Sequence, residues 1–162
     1  MDLGTFYALM AGTSFTLVGL WWTVVERRPA WRTDPVRRRL AGGTYLSFLI
    51  PGLMSTLAQI SPETPLLWRT SFAAAAVLGL VSTVQLMRVE ASGHPGPFRR
   101  NRWLVGVVYL AILVLGVAPE LVRGLGLVPL QVGAVLLVTL VLLAHALTWE
   151  FLMEPDGGAD GA

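Results

Sequence analysis

From Leu3 to Val25 the chain carries no charged residue, and apolar runs of similar length recur to its last tenth. A bilayer core about 30 Å thick is crossed by about 20 apolar residues rising 1.5 Å each as a helix. In hydrocarbon a helix satisfies its own backbone hydrogen bonds, which an open strand cannot do. Further runs cover Leu40–Ile60, Leu66–Met87 and Trp103–Leu152, the last long enough for two helices. Pro119, Glu120, Arg123, Gly124, Gly126 and Pro129 mark a turn within it. The expectation is an all-α integral membrane protein, a bundle of about five transmembrane helices at 3–25, 40–60, 66–87, 103–121 and 128–149. The alternative is four spans plus a re-entrant segment, because the fourth run is short unless it kinks at Pro119 and carries Glu120 into the interface. Residues 154–162 read as a disordered acidic tail.

Composition agrees with lipid as the solvent. Only 14% of the 162 residues are charged and 54% are hydrophobic, against about 25% charged in soluble domains. So small a domain could not hide that apolar surface from water, and a disordered chain would be poor in it.

Every one of the twelve basic residues is arginine. Six fall between positions 27 and 39, and Arg88, Arg99, Arg100 and Arg102 form a second group. Arg69 and Arg123 are the remainder. Loops rich in arginine stay in the cytoplasm, which predicts an outside N-terminus and, with five spans, a cytoplasmic C-terminus. The same placement reads the basic pI as a topology signal and not as nucleic-acid binding. Trp21, Trp22, Trp103 and Trp149 fall near predicted cytoplasmic ends, Trp31 in the first basic loop and Trp68 near the outer end, as an interfacial belt requires. The first run is too long for a cleavable signal, follows Asp2 and precedes its positive charges, so it is expected to remain as a span.

Small and polar residues indicate which faces avoid lipid. Gly4, Ala8, Gly12 and Thr16 recur every four residues in the first span, and Ser71, Ala75 and Gly79 in the third. Both look like helix-contact seams, closing one bundle or joining copies. In the second span Gly43, Ser47, Pro51, Ser55 and Gln59 form one stripe, flanked by Thr44, Gly52 and Thr56. Pro51 removes the N–H that would bond to Ser47, which predicts a kink. Two readings stand. The stripe is a polar helix contact with hydroxyls bonded to their own backbone, or copies around an axis line a water-filled path with Gly43, Ser47, Pro51, Ser55, Thr56 and Gln59 in its wall.

Few groups can do charge-dependent work. Arg69 is expected to pair with Glu120 or Glu63, as a structural tie or as a gating charge at an outer mouth. His145, on the same face as Gln131 and one turn before Thr148, is an interfacial histidine or a pH sensor. Cysteine is absent, and His94 and His145 are the only histidines, so neither a metal nor any other cofactor is expected. Phosphate loops, zinc-protease motifs and nucleophile elbows are missing too, which argues against an enzyme. The expected function is a small oligomeric channel or permeation protein for ions or small solutes. Its neutral wall and arginine-rich inner mouth give a weak anion preference. The alternative is an accessory subunit of a larger membrane complex, and an interfacial enzyme comes last. The expected partners are the lipid bilayer and further copies of the chain. The lysine-free composition fits a bacterial cytoplasmic membrane.

Overall fold

Proline and aspartate decide where the helices begin. In the computed structural model, which describes residues 2–60, 64–87 and 103–153, Asp2 caps α1 (Leu3–Glu26) by accepting from the Thr5 amide at 2.7 Å. Asp34 does the same for α3 (Pro35–Ile60), accepting from the Val36 amide at 2.8 Å, with Pro35 at the first helical position. Between them the one-turn α2 (Ala30–Thr33) follows Pro29. Next come α4 (Pro65–Met87), α5 (Trp103–Val117), α6 (Pro119–Gly124) and α7 (Pro129–Met153). Three of these open on proline because a missing N–H costs nothing in a first turn.

The described residues contain helices and turns but no strand. Four helices, α1, α3, α4 and α7, are long and apolar enough to cross a membrane. α5 is apolar but has 15 residues, or about 22 Å at 1.5 Å per residue. Its end has a local cause. The residue before a proline is pushed out of the helical region, and Ala118 stands at φ −128°, ψ 61° before Pro119. α6 then ends at a turn where Gly126 takes φ 74°, which glycine adopts without strain.

Long helices alternate in direction. α1 packs on α3, α3 on α4, α4 on α5, α5 on α7 and α7 back on α1, with α3 and α7 also touching across the middle. One end of this ring, the basic end, collects Glu26, Arg37 to Arg39, Met87, Trp103 and Met153; the far end collects Asp2, Ile60, Pro65, Val117 and Pro129. Near the far end the Tyr7 hydroxyl donates to the Leu130 carbonyl at 2.7 Å and ties α1 to α7. The core of that half is large and apolar: Met54, Phe72, Ile112 and Leu137 have no exposed surface.

The tryptophans of the expected interfacial belt divide by exposure. Trp21, Trp31 and Trp68 are buried, while Trp22, Trp103 and Trp149 are exposed. α2 folds back over the basic end and inserts Trp31 beside Phe151, ring centroids 4.6 Å apart, and near Trp21 at 5.9 Å. The Trp21 indole donates to the Ala41 carbonyl at 3.0 Å. Packing against rings and a backbone acceptor satisfies both ends of that side chain inside the bundle.

The two small-residue seams also diverge. Ser71, Ala75 and Gly79 face inward, and a side chain at Gly79 would overlap the Tyr109 ring. Gly116 lets α5 approach α4 closely, since a Cβ there would lie 2.9 Å from the Arg69 carbonyl oxygen. On α1, by contrast, Gly4, Ala8, Gly12 and Thr16 are all exposed.

Candidate functional site

The polar stripe lies on α3, the most buried of the long helices, and α3 continues through Pro51 as one helix. Its parts meet different surroundings. Gly43 and Ser47 border a chamber of about 90 Å³ in the basic half, walled by α3, α4, α5 and α7. That volume holds several waters, one of which needs about 10–15 Å³ on this measure. Pro51 and Ser55 are buried farther along and do not line this chamber. Thr56 is half-buried and Gln59 exposed. Within one chain the six residues read as one pore wall thus differ in burial.

Most of the stripe's hydroxyls bond to their own helix. Ser47 donates to the Gly43 carbonyl at 2.9 Å, Thr44 to Leu40 at 3.2 Å and Thr56 to Gly52 at 2.9 Å. Among the described residues the Ser55 hydroxyl has no hydrogen-bond partner, and neither does that of the buried Ser14 of α1. A Cβ at Gly52 would lie 3.1 Å from the Ser14 Cβ, so α1 is closed tightly on that side.

The chamber is completed by residues the sequence reading passed over. Ser82 and Thr83 of α4 and Tyr109 of α5 line it, with Leu46, Leu86 and Phe151 among its apolar wall. The Thr83 hydroxyl donates to Gly79 at 2.8 Å. Tyr109 is only 3% exposed, and its hydroxyl has no partner among the described residues. Small residues create the space: Gly43 leaves room for the Leu86 side chain and Gly79 for the Tyr109 ring. A signal was present for Tyr109, the one hydroxyl between Leu104 and Val117.

Outside the chamber, a groove of about 690 Å³ runs between α3 and α4. It shares Gly43, Leu46, Ser82 and Leu86 with the chamber, and Arg39, Tyr45 and Gln85 form its remaining polar rim. The bundle thus has a lateral recess, polar at the rim and hydroxyl-bearing at depth.

The charged candidates are not drawn together. Arg69 donates from Nε to the Gly116 carbonyl at 3.1 Å and from a terminal guanidinium nitrogen to Val117 at 2.8 Å. It does not reach Glu120, which accepts from Arg123 at 3.0 Å on the surface. The correction has a clear cause. The break before Pro119 strips the last carbonyls of α5 of helical donors, and a guanidinium fits that negative end of the helix dipole. Glu63, the other expected partner, lies outside the described residues, as do His94, the arginines at 88–102 and the 154–162 tail. His145 is exposed, its ring edge-on to Phe48 at 5.4 Å and Nδ1 2.8 Å from the Val141 carbonyl oxygen. Gln131 is exposed as well, well along α7 from it.

Groups of acidic, histidine or cysteine side chains able to hold a metal are absent among the described residues. The chain matches no protein-family model, no curated protein and no solved structure.

Proposed function

We propose that the chain is a five-span membrane protein that binds a small amphiphilic molecule, taken up sideways from the bilayer into the recess between α3 and α4. The supporting observation is a chamber reached past Leu46 and Leu86 and lined by Ser82, Thr83 and Tyr109, whose hydroxyl makes no hydrogen bond among the described residues. A ligand or water in the chamber would give that hydroxyl a partner. In this reading α5 and α6 together make the fifth crossing, and the basic end faces the cytoplasm of a bacterial cell. Conduction along α3 is less well supported, because Pro51 and Ser55 are buried among large apolar residues, and the anion preference loses its basis with it. The purified chain in vesicles is expected to pass no more chloride than protein-free vesicles.

The test of binding uses the full chain purified from nanodiscs holding equal phosphatidylcholine and phosphatidylglycerol. Native mass spectrometry is expected to find retained lipid on the wild type and several-fold less on Ser47→Leu, which fills the chamber. Equal retention by the two proteins, both folded by circular dichroism, would remove the chamber from the binding site.

A second reading concerns partners. The exposed Gly4, Ala8, Gly12 and Thr16 face, with nothing within 4 Å of a Cβ built at Gly12, supports close approach of another helix. The occupant is a second copy or a subunit of a larger complex. Gly12→Leu is expected to abolish disulfide-free crosslinked dimers in the bilayer while leaving thermal stability unchanged.

A further inference from the structure

The groove outside the chamber has a charge character that narrows the ligand. Its rim holds Arg39, exposed and without an ion-pair or hydrogen-bond partner among the described residues, together with Gln85. Among the described residues no carboxylate lines either the groove or the chamber. Below this rim the walls are Leu46 and Leu86, with Leu86 packed over Gly43, and both residues also line the chamber. At about 690 Å³ the groove falls within the 300–1,000 Å³ usual for small-molecule sites.

We infer that the occupant is an anionic phospholipid of the host bilayer, its phosphate on Arg39 and its acyl chain between Leu46 and Leu86. This rests on the proposed lateral binding reading and adds the headgroup to it. The physical case is complementarity along one axis. A guanidinium offers planar paired donors to phosphate oxygens, and Gln85 adds an amide donor beside it. The apolar walls suit a chain that would otherwise lie in the same leaflet, so entry requires no passage through water. Neighbouring arginines differ from Arg39 in position: Arg37 is engaged by Asp34 at 3.8 Å, and Arg38 lies outside the groove lining.

That neighbour supplies the control. Arg39→Gln and Arg38→Gln remove the same charge one residue apart, only the first at the groove. In nanodiscs of equal phosphatidylcholine and phosphatidylglycerol with matched chains, the wild type is expected to retain the anionic lipid preferentially. Arg39→Gln should lower that preference about five-fold, as expected for one arginine near an anionic group, and Arg38→Gln should leave it unchanged. Equal losses in the two variants would mean a general surface-charge effect and overturn the assignment. Equal retention of both lipids by the wild type would also overturn it, and the binding reading would survive if Ser47→Leu still lowered total lipid. Retention unaffected by Ser47→Leu as well would remove both proposals together.

Discussion

The two halves of α3 turn similar residues toward the bundle interior and meet opposite surroundings. Gly43 and Ser47 look onto a chamber because Gly79, Ser82 and Thr83 stand across from them. Pro51 and Ser55 are buried in the other half, whose core holds Met54, Phe72, Ile112 and Leu137. The lesson is that a hydroxyl stripe in a membrane helix reports which face leaves the lipid and nothing about what it meets. Side-chain volume on the facing helices decides between a wet recess and a sealed contact.

The strongest way to break this contrast is to place the same side chain in both halves. Ser55→Leu adds two heavy atoms at a fully buried position, and overpacking of this kind costs about 1–3 kcal/mol. Ser47→Leu extends into existing space, so its loss should stay under about 1 kcal/mol. Equilibrium unfolding of the two variants in one detergent checks the ordering. Equal losses would mean that the chamber is no softer than the core and that the halves do not differ.

A second comparison uses Arg69, which stands at the far end and closes α5 there. Arg69→Ala leaves the Gly116 and Val117 carbonyls without their donors, and hydrogen bonds to charged groups are worth about 1.5–3 kcal/mol. Because the guanidinium is partly exposed, water recovers some of this, and a loss of about 1–2 kcal/mol is expected. Hydrogen exchange should quicken around residues 116–121 and stay unchanged at the chamber. Arg69→Lys should restore part of the protection, since one ammonium reaches one carbonyl well and two poorly.

How much of this was legible in the sequence follows from what each signal measures. The four long apolar helices were readable because length against bilayer thickness is a one-dimensional property. The end of α5 was half-readable: Pro119 announced a break, but the carbonyls it freed for Arg69 depend on α4 lying against Gly116. Attractive opposite charges at similar depth suggested Glu120 instead, and that inference ignored the backbone as a partner. The burial of Trp31 was not readable for a related reason, because one turn of helix at 30–33 was enough to carry it under the basic end. The chamber was least legible, since it is made by gaps on α4 and α5 that have no period in α3. The seams on α1 and α4 have the same spacing and opposite exposure, so spacing alone could not tell them apart.

The smallest expected effect is an acid response confined to the far end. The Thr5 amide and hydroxyl hold the Asp2 carboxyl below its ordinary value of 3.8. A carboxylate whose folded pKa is depressed contributes stability above its unfolded pKa and loses it as pH falls through the folded value. Protonation therefore weakens the cap of α1 only in strongly acidic solution, below the usual carboxylate range, and Asp2 is fully exposed. The expected outcome is faster exchange at the amides of Thr5 and Phe6 there, while amides lining the chamber, such as Thr83 and Tyr109, keep their protection. Asp2→Asn caps the helix through its side-chain oxygen without titrating, so it should abolish the pH dependence at Thr5 and retain most of the protection. Acid-induced exchange spreading equally to both halves would mean that the far end and the basic end open as one unit, and the distinction drawn along α3 would then describe shape without describing stability.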